Sequence, residues 1–151
     1  MADIAIKSLN LFNSTVEQGS YNPSNGTERA SDTRVRTKFD NILSAGNYTI
    51  NCTGSTGGVV MYIYSTNDTS AFIASESITD WQNLPYSFTL TTDRYVRFGF
   101  RKSDNSNIVP SEISNIMLNA GSTALPYKPY WAHSLKKFDG TTWQNATVQE
   151  F

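Results

Sequence analysis

Saccharides are held by an aromatic face against ring C–H surface and by planar polar side chains that fork their hydroxyls. The segment ITDWQNLPY at 78–86 offers that combination, with Trp81 among Asp80, Gln82 and Asn83 in a polar loop spanning Asp80–Pro85. The competing role for Trp81 is a plug closing the mouth of the core. A second set of residues is cationic. Arg34, Arg36 and Lys38 alternate along TRVRTKF, and Arg97 and Arg101 lie along RYVRFGFR, where Gly99 leaves a gap and Tyr95 adds an aromatic surface. If these runs are neighbours in one sheet, five positive charges crowd one face. Like charges opposite one another destabilise a sheet unless an anion intervenes. That anion is either an Asp or Glu of an adjoining strand or chain, or a phosphate or uronate gripped by paired guanidinium N–H groups. The candidate ligand-contacting residues are therefore Trp81, Gln82, Asn83, Tyr95, Arg97, Arg101, Arg34 and Arg36.

Other chemistries find less support. His133 is the single histidine, so a multi-histidine metal site is excluded, and a Ser-His-Asp triad would depend on the tail. SDNSN at 103–107 is rich in oxygen ligands suited to calcium but lacks the spacing of an EF-hand and its terminal Glu, so it reads as a tight polar turn. Gly54–Gly58 has no following Lys or helix to make a phosphate loop. Glycoside hydrolysis needs two carboxyls at a set separation, and the Asp and Glu residues are scattered mostly over expected loops. No cofactor is called for. Cys52 is the lone cysteine, so no internal disulfide forms; it lies on the apolar side of Tyr48–Ile50–Cys52 and reads as a buried, inert thiol. Six Asn-x-Ser/Thr sequons begin at Asn13, Asn25, Asn47, Asn51, Asn67 and Asn145, which reads as composition rather than glycan acceptors.

Positioning these residues falls to extended chain. In Arg94–Arg101, Val96, Phe98 and Phe100 face one way and Tyr95, Arg97 and Arg101 the other, the period of a half-buried strand. Arg34–Phe39 turns Val35, Thr37 and Phe39 inward, Asn47–Cys52 follows the Ala45-Gly46 turn, and Tyr86–Thr91 turns Tyr86, Phe88 and Leu90 inward. Val59–Ser65 is apolar on both faces, the mark of a strand covered on both sides. Ala71–Ser75 reads as a short strand and Glu112–Asn119 as the last one of the sandwich, with a single helical turn near Ser111–Ser114. Asn13–Asp32 reads as a long loop or arm.

Asn, Ser and Thr supply 49 of the 151 residues, which favours turns over helix, while 19 aromatics provide ample apolar surface to bury. The formal charge of −1 exerts no overall pull toward nucleic acid. MADIAIKSLNLF lacks a basic stretch followed by a long apolar core, so it does not read as a secretory signal, and no segment has the apolar length for membrane insertion. The expected fold is an all-β sandwich, a jelly roll rather than a simple meander given its long connections. It divides into a lead-in over 1–12, the sandwich over 13–130 and a C-terminal β-hairpin tail over 131–151. That hairpin pairs Leu135–Phe138 with Trp143–Phe151 about the turn DGTT; a lone hairpin is marginally stable, so Leu135, Phe138, Trp143 and Phe151 are expected to dock on something else.

Five stretches, NLFN (10–13), TRVRTKF (33–39), LSAGNYTI (43–50), RYVRFGFRKSDNSNI (94–108) and IMLNAGSTALPYKPY (116–130), resemble carbohydrate-binding-module-like jelly rolls of phage tail, baseplate and other virion proteins. LKKFDGTTWQNATV (135–148) is similar to Trp-centred hairpins that often close such proteins. The resemblance implies a non-enzymatic virion component, assembled in the bacterial host cytoplasm and present in several copies or as a homo-oligomer. Its implied partners are other virion proteins and host cell-surface polysaccharide. The alternative it leaves open is a purely structural capsid-decorating, neck or tail protein. With no fibre, coiled coil or catalytic domain attached, docking falls to the first residues and the hairpin. No ligand set comes with the resemblance.

Overall fold

The computed structural model describes residues 8–38, 42–130, 135–138, 140–141 and 143–146. Among them thirteen strands follow in chain order. They are β1 (Val16–Gln18), β2 (Ser20–Tyr21), β3 (Glu28–Arg29), β4 (Val35–Thr37), β5 (Ile42–Leu43), β6 (Gly46–Thr53) and β7 (Val59–Tyr64), then β8 (Ile78–Gln82), β9 (Tyr86–Leu90), β10 (Arg94–Phe100), β11 (Ser114–Ala120), β12 (Leu135–Phe138) and β13 (Trp143–Ala146). All pair antiparallel. The larger sheet runs β1-β4-β10-β7-β8, with β5 also on β10, and the smaller runs β11-β6-β9. Their facing sides interdigitate, so the chain is an all-β sandwich.

The alternation in β10 decides the core. Val96, Phe98 and Phe100 have no exposed surface and meet Ile50 and Leu118 of the opposite sheet in one cluster with Val35, Met61, Ile63 and Phe88. At about 25 cal/mol per Å2 of apolar surface removed from water, each such aromatic contributes on the order of 2–3 kcal/mol. β7 is buried on both faces, as its two-sided apolar run requires. Val59, Met61 and Ile63 enter that core, and Val60, Tyr62 and Tyr64 form a second cluster with Tyr21 on the reverse side of the larger sheet.

That second cluster overturns the expectation of a loose arm over Asn13–Asp32. β1 pairs with β4, and the β2–β3 hairpin lies over the outer face. Three tyrosine hydroxyls fasten it. Tyr21 donates to the Thr37 carbonyl (2.9 Å), Tyr62 to that of Tyr21 (3.2 Å) and Tyr64 to that of Gly26 (2.7 Å). Gly26 has φ +69°, and a Cβ there would overlap the Phe72 ring, so the turn needs glycine twice over. The Asn/Ser/Gly/Pro composition was a true signal of turn chemistry, but tertiary hydrogen bonds turned the segment into a cover.

Smaller differences have local causes. Trp81 sits on β8 and not in a loop, because the edge of β7 takes up Ile78–Gln82 opposite Val59–Met61; the connecting turn to β9 begins only at Asn83 and contains a cis Leu84–Pro85 bond. Ala71–Ser75 forms no strand: Asp68 caps a 3-10 turn over Thr69–Ala71 by accepting from Ser70 N–H, leaving one bridge from Phe72 to Tyr64. The other 3-10 turn is Pro110–Glu112, where Glu112 reaches back to Val109 N–H, and the following strand starts at Ser114 instead of Glu112. β12 and β13 pair in the expected register, Phe138 opposite Trp143. The side chains of Leu135, Phe138 and Trp143, and all of Phe39, Trp131, His133 and Phe151, lie outside the described residues.

Asn10 ties the lead-in to the sandwich. Its Nδ2 donates to the carbonyls of Ile116 and Lys128, both at 2.8 Å, and its Oδ1 accepts from Phe12 N–H (3.0 Å) and Leu118 N–H (3.1 Å). At 2% exposure this amide fulfils its full hydrogen-bonding capacity without water and pins β11 to the exit segment at the same point. Asn10→Ala should lower unfolding free energy by about 3 kcal/mol, since buried backbone groups lose their partners. Urea denaturation measures this, and a loss below about 1 kcal/mol would show that water replaces the amide.

Candidate functional site

β4 and β10 are neighbours in one sheet, with Arg36 opposite Gly99 and Val35 opposite Phe100. Continuing that register by one residue sets Arg34 across from Arg101. The cationic side chains of both runs therefore share the outer face, and each is satisfied differently.

Arg36 is 9% exposed and takes the intramolecular route. Its Nε donates to Glu17 Oε1 at 2.7 Å, its Nη2 to Glu28 Oε2 at 3.0 Å and its Nη1 to the Ser20 carbonyl at 2.9 Å. Lys38 joins the same two carboxylates at 3.6 and 3.1 Å. Glu17 lies opposite Arg36 on β1, and Glu28 arrives on the covering hairpin. Two carboxylates thus do stand together, contrary to the scattered arrangement expected. A general acid must keep its proton near neutrality. The hydrogen bond from Lys38 and the field of Arg36 do the opposite, holding Glu28 below its ordinary range.

Arg97, 6% exposed, has no carboxylate within ion-pair distance among the described residues. Its guanidinium lies 4.5 Å from the Tyr64 ring centroid and 5.6 Å from that of Tyr21, and Nη2 donates to Asn67 Oδ1 at 3.1 Å. The negative ring faces stand in for counterions. Nε has no partner among the described residues. The rings respond to the same burial: it pushes the Tyr21 phenol up to about 12 and Tyr64 higher still, against the opposing pull of Arg97. Arg36 and Arg97 thus belong to the cover, not to an open site.

Arg34 and Arg101 remain half-buried at the far end of the face, and here the two candidate sets merge. The guanidinium of Arg101 stacks over the Trp81 indole at 4.4 Å from its centroid, and that of Arg34 at 5.1 Å. Arg101 is further held by Nε to the Gly57 carbonyl (3.1 Å) and Nη1 to Asn105 Oδ1 (3.3 Å). Arg34 Nη1 donates to the carbonyl and hydroxyl of Thr33 at 2.8 and 3.0 Å. Gly58, with φ +92°, lets β7 approach β8 so closely that a Cβ would overlap the Gln82 carbonyl, and this seats Trp81 beside Arg101. Burial lowers the Arg34 pKa, and the charges of Arg101 and Arg29 lower it further.

Gln82, half-buried, and Asn83, exposed, adjoin Trp81, with Gln82 Nε2 donating to the Asp80 carbonyl. Tyr95 does not join them. Both Tyr95 and Trp81 pack on the tyrosine cluster, but Tyr95 does so from the other end of β10, about 20 Å from Arg101 at the rise of a strand. Sequence reading missed Glu17, Tyr21, Glu28, Gly57 and Asn105. Only SDNSN carried a signal: Asp104 caps Ser106 N–H (3.0 Å) and Asn105 adopts φ 56°, as a tight turn demands.

Comparison with protein-family models, curated proteins and solved structures finds no match to this chain.

Two outcomes test these environments. Because Glu28 titrates lower in the folded chain than its ordinary 4.5, its ionised form is the stabilised one. That contribution is present above the unfolded value and lost as pH falls through the folded one. Wild type should therefore be more stable than Glu28→Gln at pH 7, and the gap should close in acid; a pH-independent gap in thermal unfolding would remove the pairing. Burial pushes the Cys52 thiol up to about 12, so the folded chain should resist iodoacetamide at pH 8 and react only on unfolding, as mass spectrometry would show.

Proposed function

We propose that the chain is a non-enzymatic bacteriophage virion protein whose sandwich, a carbohydrate-binding-module-like jelly roll, adheres to host cell-surface polysaccharide. The observation that carries this is the Arg34–Trp81–Arg101 stack. It gathers the aromatic and planar hydrogen-bonding groups that saccharide recognition uses at a half-buried position, while Arg36 and Arg97 on the same face are buried. Two guanidinium groups lie over the indole, so their N–H donors, with Gln82 and Asn83 nearby, do more of the gripping than a bare ring would.

The stretches carrying the phage resemblance occupy positions that hold the sandwich together. NLFN contains the Asn10 clamp, TRVRTKF spans β4, LSAGNYTI takes in the end of β5 and the first part of β6, and the remaining two take in β10, most of β11 and their exits. Weak single sites of this kind gain strength from many copies on one particle.

A purely structural role in a capsid decoration, neck or tail is favoured by a different surface. A cleft of about 360 Å3 lined by Ser8, Leu9, Leu11, Tyr48 and Leu125 opens beside exposed Leu9 and Leu125. Tyr127 and Tyr130 on the exit segment are also exposed, the ordinary surface of a subunit that packs on neighbours.

Purified chain should label host cells and score on a glycan array, and Trp81→Ala, checked for folding by thermal unfolding, should lose at least tenfold in apparent affinity, a change on the order of 1.4 kcal/mol. Silence on both, with loss of particle attachment on deleting 135–151, would favour the structural role.

A further inference from the structure

We propose that Arg34 and Arg101, fixed on the Trp81 indole, form an anion-binding site, and that the polysaccharide recognised carries carboxylate or phosphate groups. This rests on the adhesion function proposed above and narrows its ligand class.

The contrast among the arginines is the basis. Arg94 grips Glu76 with two parallel bonds, Nε to Oε2 at 2.7 Å and Nη2 to Oε1 at 2.8 Å, and Arg36 is bracketed by Glu17 and Glu28. Arg34 and Arg101 have no carboxylate within 4.0 Å among the described residues, although they share one indole. The acidic residues nearest in sequence to Arg34, Trp81 and Arg101 are Asp32, Asp80 and Asp104; all three are exposed and form no ion pair among the described residues, and Asp104 instead caps Ser106 N–H. Two like charges across adjacent strands repel, and Arg29 adds a third cation to the field at Arg34.

Each guanidinium is anchored through part of its donor set only. Arg34 uses Nη1 on Thr33, while Arg101 uses Nε on Gly57 and Nη1 on Asn105. The Nη2 group of each has no hydrogen-bond partner among the described residues. The side chains are therefore oriented before a ligand arrives, with donors left to meet an oxyanion. An anion bridging both would relieve their repulsion and add charge-assisted hydrogen bonds. Arg94–Glu76 shows the fork that a uronate carboxylate would adopt. A nucleic-acid backbone offers the same phosphate chemistry, but a net charge of −1 and a patch of three arginines give it no extended basic track.

The test titrates the full chain with oligogalacturonate and with a glycerol-phosphate polymer. The neutral comparison is the carboxyl-reduced form of the first, and a single-stranded oligonucleotide of matched charge completes the set. Both anionic saccharide polymers should bind, with affinity falling as salt rises from 20 to 200 mM. The neutral form should bind at least tenfold more weakly, and Arg34→Gln/Arg101→Gln should lose at least tenfold, as expected for charged hydrogen bonds. Arg94→Gln, whose partner is Glu76, should bind as wild type does. Equal binding of the neutral and charged saccharides would overturn the anion site and leave adhesion standing. Absence of binding to every polymer and to host cells would remove both. Equal or tighter oligonucleotide binding would overturn the saccharide assignment. If the double variant fails to fold, the wild-type comparison of neutral with charged polymer and its salt dependence still decide.

Discussion

Pairing β4 with β10 puts cationic side chains on the same face of one sheet, and much of the outer architecture is a response to that constraint. A strand exposes alternate residues, so burying Val35, Val96, Phe98 and Phe100 inside the sandwich forces Arg36, Arg97 and their neighbours to the other side. Turning either strand over would exchange apolar side chains for guanidinium in the core, an exchange no local contact offsets. The charges have to be neutralised where they stand.

The chain does this in two ways along the same face. Near the middle it lays down the β2–β3 hairpin, which brings Glu28 to Arg36 and Tyr21 to both Arg36 and Arg97. Breaking one member there would leave a buried charge alone, so the ion pair and the ring contacts work as a unit. At the far end Arg34 and Arg101 meet an indole, itself packed on the tyrosine cluster, where Arg36 meets carboxylates. An aromatic face attracts a cation without cancelling its charge. Arg36 meets carboxylates, whereas Arg97, Arg34 and Arg101 meet ring faces and neutral acceptors; of these three, Arg97 is buried and the other two are half-buried.

Period-two alternation made β10, β6 and β9 legible, because alternate side chains of each enter the core between the sheets, and the two-sided apolar run made β7 legible, because it is buried on both faces. The meeting of TRVRTKF with RYVRFGFR was legible as a condition, and the need for an anion followed from it. What supplied that anion was not. Glu17, Tyr21 and Glu28 belong to a stretch whose Ser, Asn, Gly and Pro content describes its turns correctly and says nothing about where tyrosine hydroxyls will anchor it. Trp81 was singled out for its neighbours in sequence, yet its partners Arg34 and Arg101 flank β4 and β10, three and two strands away in the sheet. Its place on β8 depends on a close approach at Gly58, a contact between segments more than twenty residues apart.

Sealing and opening the same face also divide its energetic roles. Where Arg36 and Arg97 are buried, their desolvation is already spent within the fold, and a ligand would have to displace Glu28 or the tyrosines to reach them. Where Arg34 and Arg101 lie, Trp81, Gly57, Thr33 and Asn105 have removed much of the rotamer freedom that binding would otherwise have to remove. A guanidinium placed over an indole keeps its charge and the donors its anchors do not use, whereas one locked between two carboxylates keeps neither in usable form. The β4–β10 pairing that obliges the protein to bury Arg36 and Arg97 under a cover therefore leaves, at one end of the same face, two guanidinium groups that are oriented but have no carboxylate partner among the described residues.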